Sequence, residues 1–452
     1  MNEITPTPAE KWIINPITKF ISKSTTGGIV LFVAAVLAVF LANSQWKDSY
    51  HHLWEHKIGF SFDGNSYLNL SLHHWINDGL MAIFFFAVGL ELKREIIAGE
   101  LSQPKKALLP IVAAIGGMLF PALIFTIFNF GSDSSHGWGI PMATDIAFAL
   151  GVLYLLGDKI PLTLKIFLTA LAIVDDLGAV LVIAFFYTEE INFLALGIGL
   201  SFLAFLFICN KLGIRNIFFF LLIGILGVWL PFLLSGVHAT IAAVLVAFTI
   251  PASSRIEENL FISKIQNYLS HFKKLDSNNN PTLTEDQFHL LEKVKITTED
   301  AISPLHRLEH SLHSFVSFIV MPIFALANAG VTFSSDIIAN TASSVTLGVA
   351  LGLIIGKVIG VFGVSSLMIK LKLSAMPEGM TNKSLFGVGL LASIGFTMSL
   401  FVTDLAFENP EYELQAKLGI FAASLIGGIL GFIILRNSKN STTNTYTNAE
   451  TF

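Results

Sequence analysis

Asp175 and Asp176 stand side by side in the run IPLTLKIFLTALAIVDDLGAVLVIAFF, Ile160 to Phe186, which is long and apolar enough to cross a bilayer. A carboxylate at bilayer depth costs roughly 2.5–3.5 kcal/mol even on the lenient insertion scale. Two adjacent ones also repel, so the pair is not there for stability. It can hold a proton or a cation, and the two compete for the same oxygens. That is the chemistry of a proton-coupled ion carrier.

Two further ionisable residues fall near the centres of apolar runs, Asp145 and Lys357. Three carboxylates and one amine leave a surplus of negative charge that a dry site cannot keep. Protons or a cation must offset it. Buried ion pairs that merely hold helices together leave this surplus unexplained, because Lys357 neutralises one acid only. A desolvated lysine also gives up its proton more readily, so Lys357 is itself a candidate for proton exchange.

The elements around these charges are interrupted helices. Gly139 and Pro141 break the run just before Asp145, in SHGWGIPMATDIAFALG. Gly387, Gly389 and Gly395 do the same in FGVGLLASIGFTMSLFVTD, which ends at Asp404. Discontinuous helices expose backbone dipole ends and build midplane ion sites in secondary transporters. Gly348, Gly352, Gly356 and Gly360 form a four-residue repeat that lets another helix approach closely, and so places Lys357 in protein rather than lipid.

The composition fits a membrane protein. The chain of 452 residues is 53% hydrophobic and 13% charged, with 40 Phe, whereas a soluble domain is closer to a quarter charged. The net charge of −5 suggests no nucleic-acid partner, and the single Cys209 excludes an intrachain disulfide. The polar first two dozen residues, with TPTP, do not read as a cleavable signal peptide.

Twelve runs of membrane length are expected, near 28–44, 72–92, 107–130, 134–156, 161–187, 192–209, 215–234, 237–252, 312–331, 344–369, 385–407 and 416–435. The organisation expected is a cytoplasmic segment 1–27, eight spans over 28–252, a long polar cytoplasmic loop 253–311 containing LDSNNNPTLTEDQ, four spans over 312–436, and a disordered tail 437–452. The two interrupted runs fall in spans 4 and 11, which suggests inverted repeats pairing spans 3–5 with 10–12. With both termini in the cytoplasm, Lys93, Arg94, Lys105, Lys106, Lys159, Lys211, Arg215, Lys370, Lys372 and Lys383 lie inside. Only Lys47, Lys57 and Lys417 lie outside, in keeping with the positive-inside rule.

The segment PLHRLEHSLH puts His306, His310 and His313 on one helix face, with Glu309 beside them. Imidazoles at i and i+4 suit zinc, but no HExxH motif occurs, and a pH-responsive cluster at a funnel mouth suits them better. Glu91, Lys93 and Arg94 end span 2 on the same side, as interfacial anchors or as part of that mouth. His238, in LSGVHATIAAV, reads from physics alone as a helix-end histidine with a satisfied hydrogen bond.

The strings INDGLMAIFFFAVGLELKRE, ATDIAFALG, LAIVDDLGAVLVIAFFYT, LSGVHATIA, RLEHSLH, FALANAGV and LASIGFTMSLF closely resemble the bacterial NhaA family of sodium–proton antiporters, over about 28–252 and 305–435. The resemblance implies an all-α integral membrane fold of twelve helices, with inverted repeats and two broken helices, spans 4 and 11, crossing at the midplane. It implies exchange of Na⁺ or Li⁺ for H⁺ at the bacterial inner membrane, electrogenic and pH-regulated, with no cofactor and no enzymatic activity. By match, Asp175 and Asp176 form the cation and proton site, Thr144 and Asp145 sit at a helix break, and Lys357 pairs with Asp175. Asp78, Glu91, Arg94, His238, Glu309, His310 and His313 match positions linked to pH response or the cytoplasmic funnel. The family carries a β-hairpin where WKDSYHHLWEHKIGFSFDGNSYL (46–68) stands, a contact for a homodimer. The 253–305 connection is longer than the family's compact loop, and the resemblance gives Asp404 no role.

Two other readings compete. An intramembrane aspartyl protease needs two carboxylates converging from separate helices, typically with GxGD. Here the adjacent side chains diverge by about 100° around the helix, and no GxGD occurs. A cation channel gains nothing from a midplane lysine in its path.

Overall fold

The computed structural model describes residues 24–62, 65–188, 191–275, 282–333 and 340–438. The expected N-terminal segment and C-terminal tail lie almost wholly outside these. The described chain is nearly all helix, as a bilayer demands: no water is available inside it to satisfy backbone groups. In order come α1 (Ser24–Ala42), α2 (Lys47–Glu55), the hairpin β1 (Lys57–Phe62) and β2 (Asn65–Ser71), and α3 (Met81–Ala98), which continues a short helical lead from Leu72. Next are α4 (Pro104–Asn129), a 3-10 segment Asp133–Met142, α5 (Ile146–Leu155), α6 (Leu162–Phe186) and α7 (Phe193–Lys211). Then come α8 (Ile217–Leu233), α9 (Ala239–Thr249), α10 (Glu258–Lys274), α11 (Glu285–Ala301) and α12 (Pro304–Asn328). Last are α13 (Ser344–Lys370), α14 (Asn382–Leu391), α15 (Phe396–Ala406) and α16 (Pro410–Arg436).

All twelve apolar runs fall on helix. By length and composition, six helices among the described residues suffice to cross a membrane: α4, α6, α7, α12, α13 and α16. The number rises to nine if each of three bent pairs is one span. Two of these pairs are the interrupted runs. Asp133–Met142 meets α5 at 40°, and α14 meets α15 at 43°. The third, α1 with α2, turns by 112°. Asn43 holds that corner: its amide donates to the Val39 and Val331 carbonyls, and its Oδ1 accepts from Phe333 N.

The stretch 46–68 is only half hairpin. Its first part is α2, and the two strands then pair antiparallel from Lys57↔Ser71 to Phe62↔Asn65, with an irregularity between Ile58 and Phe60. The 253–311 connection carries two amphipathic helices, α10 and α11, where an irregular loop was expected. Its polarity reflects exposure rather than lack of structure. A capping box starts α11, with Thr284 and Gln287 satisfying each other's backbone amides. The base of this hairpin is closed by Arg255 N donating to the Asp300 carbonyl at 2.9 Å.

The packed interior has two parts. α3 carries one face into each: Met81, Phe84, Phe85 and Val88 join the larger cluster, and Ala82, Phe86 and Leu90 join a smaller one with α7, α8 and α9. The glycine stripe of α13 seats that helix on α4. A Cβ on Gly360 would lie 2.2 Å from the Gly116 carbonyl oxygen, so no side chain fits there. Lys357 follows this contact and sits between two π-helical stretches, Gly352–Gly356 and Val358–Gly363. Such widened turns are frequent at functional sites.

Gly360→Ala should therefore force α13 off α4, with an overpacking cost of about 1–3 kcal/mol. The control is Gly363→Ala, where a Cβ meets only Ile359 at 3.9 Å. Thermal melts in detergent should show a clear drop for the first variant and little change for the second.

Candidate ion-binding site

The two breaks face each other, and side chains of one satisfy backbone groups of the other. A helix end leaves amides or carbonyls without intrahelical partners. At this crossing Asp145 N donates to the Ile394 carbonyl at 2.6 Å. Thr144 Oγ1 lies 3.0 Å from the Ala392 carbonyl, and Ser399 Oγ donates to the Ile140 carbonyl at 2.8 Å. The Asp145 carboxylate caps both outgoing helices. Its Oδ1 accepts from Phe148 N of α5 at 3.0 Å. Its Oδ2 accepts from Thr397 N at 3.0 Å and from Thr397 Oγ1 at 2.6 Å, at the start of α15. One negative group thus meets the positive ends of two helix dipoles. Gly395 lets the backbones come this close, since a Cβ there would lie 2.9 Å from the Ala143 carbonyl oxygen.

Beside the crossing runs the middle of α6. Asp175 and Asp176 are both 0% exposed, as is Lys357. Lys357 Nζ donates to Asp175 Oδ2 in a close ion pair, and Thr144 Oγ1 reaches the same oxygen at 2.6 Å. Asp175 Oδ1 and both oxygens of Asp176 have no hydrogen-bond partner among the described residues. Those three make up three of the seven unpartnered buried side-chain polar atoms found there. The charges that reach Asp176 are the acids Asp175, Asp145 and Glu91 and the single base Lys357. Buried carboxylate oxygens without donors are costly unless a proton or a cation occupies them. They are also hard oxygen donors of the kind that suits small cations.

A cavity of about 580 Å³ opens on one side of this site, lined by Glu91, Arg94, Tyr154, His306, Glu309, His310 and His313. It continues past Ile146, Leu150 and Thr169. Thr169 lies seven residues before Asp176 on α6, about 10 Å along the axis. Arg94 Nε donates to Glu309 Oε1 at 2.8 Å, and its NH1 pairs with Glu95 at 2.8 Å. Lys93 points the other way and donates to the Phe248 and Ile250 carbonyls at the end of α9. Favourable contact with a helix C-terminus makes it an anchor rather than part of the mouth. Among the described residues no His, Cys, Asp and Glu cluster is arranged to hold a metal ion, so the histidines do not form a zinc site there.

Asp78 and His238, grouped with the mouth by the sequence reading, are not in that cavity. His238 precedes α9, and its Nε2 donates to the Tyr187 carbonyl at 2.8 Å, the satisfied helix-end contact that physics alone suggested. Asp78 sits at the opposite end of the α3 segment from Glu91, 3.2 Å from His74 Nε2. Between that end and the crossing stand Phe85, Phe324 and Phe401, each at most 1% exposed, with ring centroids 5.5 and 6.3 Å from Phe401. The sequence reading missed Thr397, although a threonine just after Gly395 is a recognisable start for a helix after a break.

The description "Na+/H+ antiporter 1" belongs to the family whose pattern the chain matches over residues 18–435. A protein of Wolinella succinogenes named Na(+)/H(+) antiporter NhaA is 48% identical, over 93% of this chain and 92% of its own. One of Syntrophotalea carbinolica, named Na(+)/H(+) antiporter NhaA 2, is 49% identical over 94% and 97%. A third, the Na(+)/H(+) antiporter NhaA of Sulfurimonas denitrificans, is 48% identical over 94% and 96%. Matches of this length and identity, on a chain of apolar helices with acids buried at a helix crossing, make it a multi-pass membrane protein of the Na+/H+ antiporter 1 family.

Proposed function

We propose that this chain exchanges Na⁺ for H⁺ across the bacterial inner membrane, accepting Li⁺ at the same site. The observation that carries the reading is the wholly buried Asp176 with two donorless oxygens, beside an Asp175 already paired with Lys357. The twelve runs are twelve crossings, with both termini and the α10–α11 hairpin in the cytoplasm and a homodimer contact at the β-hairpin. No cofactor takes part, and no bond is made or broken.

In the described state the cavity leads to the site from the Glu91 side. A cation arriving there meets Asp176 and then Asp175. To bind, it must displace the protons on Asp176 and separate Asp175 from Lys357. Thr144 has one hydroxyl hydrogen and two acceptors in reach, the Asp175 carboxylate and the Ala392 carbonyl. Its hydroxyl follows the state of Asp175, donating to it when charged and to the carbonyl when it is not. More than one group changes its proton per cation, so each cycle moves net charge. Glu91, Arg94, Glu309, His310 and His313 set the pH at which the mouth admits a cation, and Asp78 and His238 act from the opposite end. The protease alternative is disfavoured because Asp175 and Asp176 do not converge on one proton. The channel alternative is disfavoured by the three phenylalanines on the far side.

Asp176→Asn should abolish Na⁺-induced dissipation of a pH gradient in everted vesicles, while the protein still inserts and folds. Wild-type exchange in a folded Asp176→Asn protein would overturn the site assignment.

Competition between protons and cation for one carboxylate set has a clear sign. Apparent Na⁺ affinity should weaken as pH falls, and cation binding should release protons, both measurable by titration calorimetry in buffers of different ionisation heat. A pH-independent affinity would sink the competition.

Lys357→Ala leaves its partner carboxylate buried and uncompensated, a loss of roughly 3–5 kcal/mol. Its melting temperature should fall together with its transport rate, and Lys357→Arg, which keeps the charge, should retain more of both. Equal melting of wild type and Lys357→Ala at all pH values would show that the pair does not hold the resting state.

A further inference from the structure

At the end of the bundle away from Glu91, four side chains from three elements close into a ring. Asn77, on the helical lead into α3, donates its amide to Asp404 Oδ2 at 2.6 Å. Asn328, in the last turn of α12, donates to Asn77 Oδ1 at 3.0 Å. His73 Nε2 lies 3.0 Å from Asn328 Oδ1 and 3.7 Å from Asp404 Oδ1. An amide oxygen only accepts, so His73 must carry its hydrogen on Nε2. The donor order then runs without conflict from His73 through Asn328 and Asn77 to the Asp404 carboxylate. The two asparagines are buried, at 4% and 1% exposure, whereas the His73 and Asp404 side chains keep 31% and 27%. The ring therefore has a buried half made of neutral amides and a solvent-reaching half made of one base and one acid.

Its placement gives it a task. Asp404 is in the last turn of α15, and Thr397, which binds Asp145 at the crossing, is seven residues earlier on the same face. Phe401 lies between them and packs on Phe85 and Phe324. Thus the ring ties the outer end of a broken helix to the helices that supply its aromatic neighbours. We propose that this ring is a second titratable site, separate from the buried aspartates, that latches the far end of α15 and is governed by the pH on that side. This rests on the antiport reading and on the orientation given above, in which that side is the outer one.

The sign follows from the charges. An imidazole gains its charge as pH falls from about 8 to about 5. Protonated His73 attracts Asp404 and tightens the ring, whereas neutral His73 keeps only its bond to Asn328. Asp78, His74 and His238 are the other titratable groups acting here. Asp78 is matched by His74 at 3.2 Å, and Glu408 and Glu411, which follow α15, are exposed. Opening toward the outer side requires the ring to part. Outer acid should therefore slow turnover, although it supplies more protons.

The test uses the full chain in oriented proteoliposomes, with the inner compartment held at fixed pH and saturating Na⁺. The wild-type exchange rate should fall several-fold as outer pH drops from about 8 to about 6, across the imidazole range. His73→Gln keeps the donor to Asn328, and Asp404→Asn keeps an acceptor for Asn77, yet neither pair can form the charged contact. Both variants should lose the acid-side decline, with apparent Na⁺ affinity from the Glu91 side unchanged. A wild-type profile retained in both variants would overturn the latch. Amide hydrogen exchange over 400–406, corrected for intrinsic rates, reads the ring without transport. Protection should rise on acidification in wild type and stay flat in His73→Gln. Identical pH dependence in the two proteins would also overturn it, whereas absence of any Na⁺-driven proton movement in wild type would instead fault the antiport reading.

Discussion

Three carboxylates and one ammonium group are enclosed at the helix crossing, none more than 1% exposed. Everything else near the site answers to that constraint. A charge taken out of water must be paired, bonded or neutralised. Each acid meets the requirement differently. Asp145 is bonded by backbone amides and a hydroxyl at two helix starts. Asp175 is paired with Lys357 and bonded by Thr144. Asp176 has nothing from the protein among the described residues, so mobile ions must serve it. The coupling of two ions then needs no moving parts of its own. It follows from a shortage of fixed positive charge.

Placing the one fixed cation is a packing problem. Lipid is as apolar as a leucine side chain, so membrane helices gain little from burial and associate through close contact. α13 approaches α4 until backbone touches backbone at Gly360 and Gly116. The stem of Lys357 runs along Gly117, whose added Cβ would lie 3.7 Å from its Cδ and 3.8 Å from its Nζ. The ammonium reaches Asp175 because small residues clear a channel for it. A larger side chain on either helix would hold it short, and the surplus of negative charge would grow.

Much of this was legible in the chain. Apolar runs of membrane length mark the helices, because the requirement that produces them is local to each segment. The midplane charges are legible for the same reason: in such a run an acid stands out. What the sequence does not carry is which neighbour each acid meets. Asp145 looked like an ion ligand, and only the facing break shows both its oxygens engaged with Phe148 and Thr397. Asp78 and Glu91 share one helical segment but lie at opposite ends, so a common label hid two separate environments. α10 and α11 were concealed by their polarity, since an exposed helix lacks the apolar stripe by which helices are usually found. Asp404 acquired partners only once Asn77, more than three hundred residues away in sequence, was placed beside it.

The two broken helices bend by nearly the same angle, 40° and 43°, and meet as near-twins, yet a single acid serves both. Where α5 has Asp145 just ahead of it, α15 has Gly395, and its amide is served by its twin's carboxylate. If the halves descend from a duplicated ancestor, perfect copies would have brought a fourth carboxylate into the crossing with no second lysine to meet it. Asymmetry is thus the condition under which the duplicated halves can face each other at all. One half lent its charge, the other gave up its own, and neither can now be exchanged for its sibling.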